Sequence, residues 1–209
     1  MQTLLALPEY TAASRLSVFL SMPSREIDTS TVVEHALSSG KQLFVPHIHR
    51  QNPAHPVPPS SPAAPAASAP SAPSVMDMLS LSSIEDYRCL RPDSWGIPTI
   101  PPESIAARRN VLGDIDGPLD LIIMPGVAFD ETFKRLGHGK GYYDYFLTRY
   151  RESLLSGTRM PVLVAVALEE QLLAAGDTVP VDASDWLVDI IVTGHGKCLR
   201  RESQLAVAD

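Results

Sequence analysis

The stretch from Leu119 to Tyr150, LDLIIMPGVAFDETFKRLGHGKGYYDYFLTRY, reads as a strand, a glycine-rich loop and a helix in that order. Leu119 to Met124 is short and apolar apart from Asp120, the pattern of a strand covered on both faces rather than one alternating between core and water. After Gly141 the positions Tyr143, Leu147, Tyr150 and Leu154 follow i, i+4, i+7, i+11 spacing, an amphipathic stripe of about four turns. Working outward, Leu16 to Leu20, Gln42 to Val45, Val162 to Leu168 and Leu187 to Val192 repeat the short, often continuous apolar pattern of buried strands. Strands covered on both faces require helices on both sides. Thr31 with Glu34 suggests a capping box, Val33 and Leu37 share a face, and Gly40 stands where a left-handed C-terminal residue is wanted, so a helix is predicted over 31–39. Another is predicted over about 169–175, closed by Gly176. The fold class is therefore α/β, three layers with a mostly parallel sheet and helices on both faces.

At 209 residues and 44% apolar composition, the chain is expected to form one domain over 1–209. Pro53 to Pro73 is almost entirely Pro, Ala and Ser and holds eight of the nineteen prolines. Such a segment cannot bury enough apolar area to offset chain entropy, so a disordered insertion at 53–73 is predicted, with both flanks building one sheet. The net charge of −7 argues against a nucleic-acid surface, which needs clustered cations. No run reaches the roughly 20 apolar residues needed to cross a bilayer, and a membrane is not an expected partner. Cys89 and Cys198 form neither a zinc motif nor a dense disulfide framework, which suits a reduced, cytoplasmic setting.

In open sheets of this kind, ligands gather beyond the carboxyl ends of the strands. Two loops qualify, Ser21 to Thr29 and Pro125 to Gly141. The second contains Arg135-Leu136-Gly137-His138-Gly139-Lys140-Gly141, with three alternate glycines before a helix. Glycine permits close backbone approach, the helix start supplies oriented N–H groups, and Arg135 and Lys140 add charge, so the segment is a candidate phosphate cradle. It is not a Walker A loop, because Gly141 rather than Ser or Thr follows Lys140, and Tyr142 breaks a GxGxxG pattern. Asp144 falls in the first helical turn, where a carboxylate complements the helix dipole and is also one turn from a place where Mg²⁺ would need a ligand. Tyr143 lies on the apolar stripe; Tyr142 lies off it and is free to face a ligand.

Several ordered motifs resemble the 5-formyltetrahydrofolate cyclo-ligase, or methenyltetrahydrofolate synthetase, family. They are Leu121 to Asp130, Arg135 to Asp144, Phe19-Leu20-Ser21-Met22, Ser94-Trp95-Gly96-Ile97-Pro98, and a late Asp185 followed by Val192-Thr193. The similarity runs from about Leu4 to His195 outside the proline-rich insertion. It implies a fold like that of the sugar-phosphate isomerase and CoA-transferase group, and a monomer is the expected state. It also implies a reaction in which the formyl oxygen of 5-formyltetrahydrofolate attacks the γ-phosphate of ATP, ADP leaves, N10 closes on the activated carbon and phosphate departs. By the same resemblance Arg135, Leu136, Gly137, His138, Gly139, Lys140, Gly141, Tyr142 and Tyr143 hold ATP, with Lys140 and Arg135 catalytic. Asp144 and Asp185 ligate Mg²⁺, with Asp182 and Asp189 as competitors for the second place. Leu20, Met22, Glu26, Trp95, His138, Tyr142 and Tyr143 line the folate pocket. A planar pterin with a donor-rich edge suits a carboxylate such as Glu26 beside aromatic and thioether faces.

Two departures from the family pattern bear on activity. His138 stands where many relatives carry Arg, which removes a fixed charge. The family's basic N-terminal helix has no counterpart before Met1, so weak ATP affinity is expected, and a folate-binding or regulatory protein with impaired turnover is the rival reading. A third reading, an isomerase or CoA-transferase, would require a nucleophilic glutamate or sugar-phosphate motif, and none stands out.

Overall fold

The computed structural model describes residues 1–23, 26–50 and 73–202. Two short helices, α1 (Gln2–Leu5) and α2 (Pro8–Ala12), lead into β1 (Arg15–Val18), α3 (Ser30–Ser38), β2 (Gln42–Arg50) and β3 (Ser74–Leu81). Helix α4 (Ile84–Arg88) precedes a small ribbon of β4 (Arg91–Pro92) and β5 (Pro98–Thr99). Then come β6 (Leu121–Met124), a second ribbon of β7 (Ala128–Phe129) and β8 (Arg135–Leu136), α5 (Tyr142–Ser153), β9 (Val162–Ala167), β10 (Ile190–Thr193) and β11 (Cys198–Arg200).

The seven-stranded sheet has the order β11-β10-β9-β6-β1-β2-β3. Its five inner strands are parallel, and the edge strands β3 and β11 are antiparallel to their neighbours. Leu121, Ile122, Ile123 and Met124 are fully buried, as predicted for a strand covered on both faces. Each such side chain contributes roughly 1.5–3 kcal/mol on leaving water, which is why this central strand tolerates no polar position between its ends. The chain steps from β1 outward to β2 in one direction and later from β6 outward to β9 and β10 in the other. The order reverses between β1 and β6, and the crevice outside their carboxyl ends is where such sheets bind ligands.

Helix α5 follows the predicted stripe, burying Tyr143, Phe146, Leu147 and Tyr150, and the Leu119 amide donates to the Tyr150 hydroxyl at 2.6 Å. Helix α3 spans Ser30–Ser38, and Gly40 has φ +72° as expected, but the capping box of Thr31 and Glu34 does not form. The helix starts one residue earlier than predicted, with Thr29 as N-cap, and the Thr29 hydroxyl donates to the Phe19 carbonyl at 2.8 Å. The helix predicted over 169–175 is a single 3₁₀ turn, Glu169–Gln171. The following residues are taken up by β7: Leu172 bridges to Phe129 and the Leu173 amide donates to the Phe129 carbonyl at 2.8 Å. A residue cannot supply both that pairing and a helical ladder. The strand expected over 187–192 is shifted to Ile190–Thr193, because the Val188 amide is bonded to the Phe133 carbonyl instead.

The insertion at 53–73 lies outside the described residues except for Pro73. Its flanks do build one sheet, since β2 and β3 pair along their length from Leu43↔Leu81 to Arg50↔Ser74. No helix among the described residues is long and apolar enough to cross a membrane.

Candidate functional site

The two loops singled out in the sequence leave the carboxyl ends of β1 and β6, at the reversal point of the sheet. After β1, Ser21 and Thr29 lace the loop together: the Ser21 amide meets Thr29 Oγ1 and the Thr29 amide meets Ser21 Oγ, both at 3.2 Å. Within this loop the Met22 amide donates to Glu26 Oε2 at 2.7 Å. A cleft of about 380 Å³ opens here, lined by Ser21, Met22, Pro23, Glu26, Asp28, Tyr87, Gly96 and Pro98.

The β4–β5 ribbon forms the opposite wall. Asp93 Oδ1 accepts from the amides of Trp95 (2.8 Å) and Ile97 (3.0 Å), folding a tight turn in which Gly96 has φ +80°. A side chain at Gly96 would come within 3.2 Å of Pro23, so the turn packs closely on the loop after β1. Trp95 at its tip is 62% exposed, a large apolar surface beside the cleft. Leu20 is buried behind the wall, whereas Met22, though mostly buried, still lines the cleft.

The β7–β8 ribbon delivers the glycine-rich loop. The Val127 amide donates to the Leu136 carbonyl at 2.7 Å, and the turn between the strands is organised by buried Asp130, which accepts from the amides of Thr132, Lys134 and Val179. From Arg135 the chain runs through exposed His138, Gly139, Lys140 and Gly141 into α5. Gly139 and Gly141 have φ +71° and +62°, and Gly141 caps the helix with no side-chain acceptor for its first amides. A twelve-residue helix whose leading N–H groups point, uncapped, into a glycine loop with one exposed lysine is suited to an anion.

Asp144 and Arg135 lie beneath this loop. Asp144 Oδ2 accepts from Arg135 Nη2 at 2.8 Å, and Asp144 Oδ1 accepts from the Trp186 amide at 3.0 Å. The second contact places the backbone of Asp185, the residue before Trp186, near Asp144. It also separates the three late aspartates. Asp189 is used at the other edge of the sheet, bonded to the Leu163 amide and paired with Arg201. Asp182 accepts from the amide and hydroxyl of Ser184 at 2.7 and 2.6 Å. Asp185 is exposed, with one oxygen on the Asp182 amide. Among the described residues no group of three or more His, Cys, Asp or Glu side chains is arranged to hold a metal. Two carboxylates suit Mg²⁺ bound together with phosphates, since that ion keeps waters and substrate oxygens in its shell.

Tyr143 is 9% exposed and its hydroxyl is buried without a partner. Burial pushes that hydroxyl well above its ordinary pKa, opposed by nearby Arg135 and reinforced by nearby Glu26, so the phenol stays protonated and the three side chains share one neighbourhood. Tyr142, expected to face a ligand, is half-buried and packs partly on the core.

The structure thus places Met22 and Glu26 on the cleft with Tyr143 of the α5 N-terminus near Glu26, Trp95 at the tip of the adjoining turn, and Asp144 bonded to the residue after Asp185. It differs from the expectation at Arg135, whose side chain is 5% exposed and points at Asp144 instead of lying on the loop surface. Sequence reasoning did not find Tyr87, which lines the cleft from α4. Its signal was the Ser83-x-x-Asp86 cap, realised as Asp86 N to Ser83 Oγ at 3.1 Å, which marks a short helix presenting Tyr87. A second cavity, about 220 Å³ and bordered by Phe129, Leu172 and Leu199, contains none of the expected site residues.

The 5-formyltetrahydrofolate cyclo-ligase family profile matches residues 1–194. The chain is 33% identical over 205 residues to the mitochondrial 5-formyltetrahydrofolate cyclo-ligase of Arabidopsis thaliana, covering 93% of this chain and 64% of the relative. It is 31% identical to the 5-formyltetrahydrofolate cyclo-ligase of Mus musculus, covering 91% of this chain and 78% of that protein. Among solved structures it is similar to the NMR structure of Aquifex aeolicus 5,10-methenyltetrahydrofolate synthetase, with a TM-score of 0.58 and 25% identity over 95% of this chain and 77% of that one.

Proposed function

The chain belongs to the 5-formyltetrahydrofolate cyclo-ligase family, and on that premise we propose that it cyclises 5-formyltetrahydrofolate to 5,10-methenyltetrahydrofolate with ATP and Mg²⁺, releasing ADP and phosphate. The observation that carries the reading is the meeting, at the reversal point of the sheet, of an uncapped helix N-terminus behind a glycine loop with a carboxylate-lined cleft.

A formamide carbonyl is a poor electrophile until its oxygen becomes a leaving group, and in-line phosphoryl transfer asks the protein mainly for position and charge neutralisation. The exposed loop His138 to Gly141 and the first amides of α5 would receive the phosphates, with Lys140 as the point charge. Glu26, already fixed by the Met22 amide, has a second oxygen for the donor-rich edge of the pterin. Trp95 and Met22 offer apolar contact to its faces. Asp144 and Asp185 would hold Mg²⁺, which neutralises charge on the transferring phosphoryl group. The Tyr143 hydroxyl, protonated and unpartnered, can donate to a substrate oxygen or accept from an N–H. The net charge of −7 supports small-molecule substrates over nucleic acid, and the cysteines suit a cytosolic site of action, although one relative is mitochondrial.

The test is incubation with 5-formyltetrahydrofolate, ATP and Mg²⁺ while following methenyl absorbance and ADP. Both should rise together in equal amounts. Tight folate binding with no ADP would instead support a binding protein without turnover.

A further inference from the structure

The cleft beside the β1 loop is short of hydrogen-bond donors. Among its described lining residues, the amides of Ser21, Met22, Tyr87 and Gly96 are spent on Thr29, Glu26, Ser83 and Asp93, and Pro23 and Pro98 carry none. The carboxylates of Glu26 and Asp28 only accept. Two hydroxyls, those of Ser21 and Tyr87, are left as side-chain donors among these residues. Ser21 is tied into its own loop, with Oγ accepting from the Thr29 amide at 3.2 Å, whereas Tyr87 comes from α4, a separate element.

Tyr87 is held in place by its neighbour. Asp86 Oδ2 accepts from Arg108 Nη1 at 2.8 Å, and the same nitrogen donates to the Ser80 carbonyl at 2.6 Å, so the short helix that carries Tyr87 is fastened to β3. Burial, reinforced by nearby Asp28 and Glu34, pushes the Tyr87 hydroxyl above its ordinary pKa, and it keeps its proton at neutral pH. A reduced pterin presents along one edge the 2-amino and N3–H donors and, next to them, the 4-oxo acceptor. Glu26 answers the donors. The oxo oxygen needs a donor in return, because a polar atom taken out of water without a partner costs free energy.

We propose that Tyr87 reads the 4-oxo group of the pterin by donating its hydroxyl to that oxygen, which makes it a specificity-determining residue for 4-oxo over 4-amino pterins. This rests on the folate reading of the cleft. A 4-amino group at the same place meets the hydroxyl proton with hydrogens of its own. A site built to hydrogen-bond one group discriminates against an analogue that cannot complete the bond.

The experiment measures binding of 5-formyltetrahydrofolate and of its 4-amino analogue, 5-formyltetrahydroaminopterin, to the full chain by calorimetry, for the wild type, Tyr87→Phe and Ser21→Ala, with ATP titrated separately. Tyr87→Phe keeps the ring and should keep the melting temperature and the ATP affinity. It should weaken 5-formyltetrahydrofolate by about tenfold, the size of one hydrogen bond, and the 4-amino analogue by less than about threefold. Equal losses for the two pterins, or no loss for either, would overturn the proposal. A selective loss in Ser21→Ala with none in Tyr87→Phe would assign the donor to Ser21 and overturn it equally. If the wild type binds no 5-formyltetrahydrofolate, the folate reading of the cleft falls first and takes the proposal with it.

Discussion

Replacing Tyr143 by Phe should make the protein more stable and less active, and both effects follow from one unpartnered atom. The residue is 9% exposed, and its hydroxyl has no hydrogen-bond partner in the free protein. Holding a hydroxyl away from water without a bond costs roughly 1–3 kcal/mol in proteins, so deleting it should return about 1 kcal/mol once the small void is charged against it. For a chain of this size that is a rise in melting temperature of about 2–4 °C. Phe keeps the ring under the Arg135 guanidinium, so the loop architecture is retained. Arg135 and Glu26 both lie close enough to act on the hydroxyl, and a bond from it to a charged or strongly polar substrate atom would be worth about 1.5–3 kcal/mol. The variant should therefore lose about ten- to a hundredfold in kcat/KM. Urea unfolding gives the first quantity and methenyl formation the second, with separate titrations of folate and ATP showing which ligand the hydroxyl meets. A variant destabilised by 1 kcal/mol or more would show that the hydroxyl is bonded after all. One that gains stability and keeps its kcat/KM would show that the orphan atom has no part in the reaction, and either result refutes the reasoning.

Lys140→Ala should weaken ATP binding far more than folate binding, because the lysine is exposed on the loop while the proposed pterin wall is the cleft of Met22, Glu26 and the β4–β5 turn; equal losses in parallel titrations, with circular dichroism unchanged, would remove this loop from the phosphate. Tyr150→Phe strips the partner from the buried Leu119 amide and should destabilise by about 1–3 kcal/mol in urea unfolding without altering either substrate's affinity. The Asp77 carboxyl is raised by burial, but bonds from Arg149, His49 and Asn110 outweigh that and hold it below the ordinary 3.8. Its stabilisation is therefore complete above the unfolded value and is lost as pH falls below about 4 through the lower folded value. Asp77→Asn should be less stable than the wild type at pH 7 and should lose stability less steeply on acidification; parallel acid slopes would place the proton uptake elsewhere.

The central strands and α5 were legible because burial on both faces and a 3.6-residue stripe are properties of a segment by itself. The edge strands were not. Ser74 to Leu81 gains its place from eight backbone pairings to β2, and nothing inside that segment announces a partner lying beyond the proline-rich stretch. The lost helix after β9 has the same origin, since Leu172 and Leu173 had a helical pattern and were captured by Phe129.

The candidate site divides along the same line. Glycines before a helix identify an anion loop because the geometry they permit is local, and a carboxylate in the first turn is local too. What spacing cannot resolve is which side of a loop a long side chain takes. Arg135 and Lys140 look alike in sequence, two cations flanking glycines, but Arg135 ends a strand of the β7–β8 ribbon and is carried under the loop to Asp144, whereas Lys140 sits between two left-handed glycines and remains outside. What else each late carboxylate serves is likewise invisible in spacing: Asp182 and Asp185 bond within one turn, whereas Asp189 is used at the far edge of the sheet. A cation held inside against Asp144 and a cation left exposed on the loop divide the local charge into a fixed part and a mobile part. On the proposed reading that division matters in a chain of net charge −7, since ATP and folate both arrive as anions and an exposed cation such as Lys140 is placed to meet them.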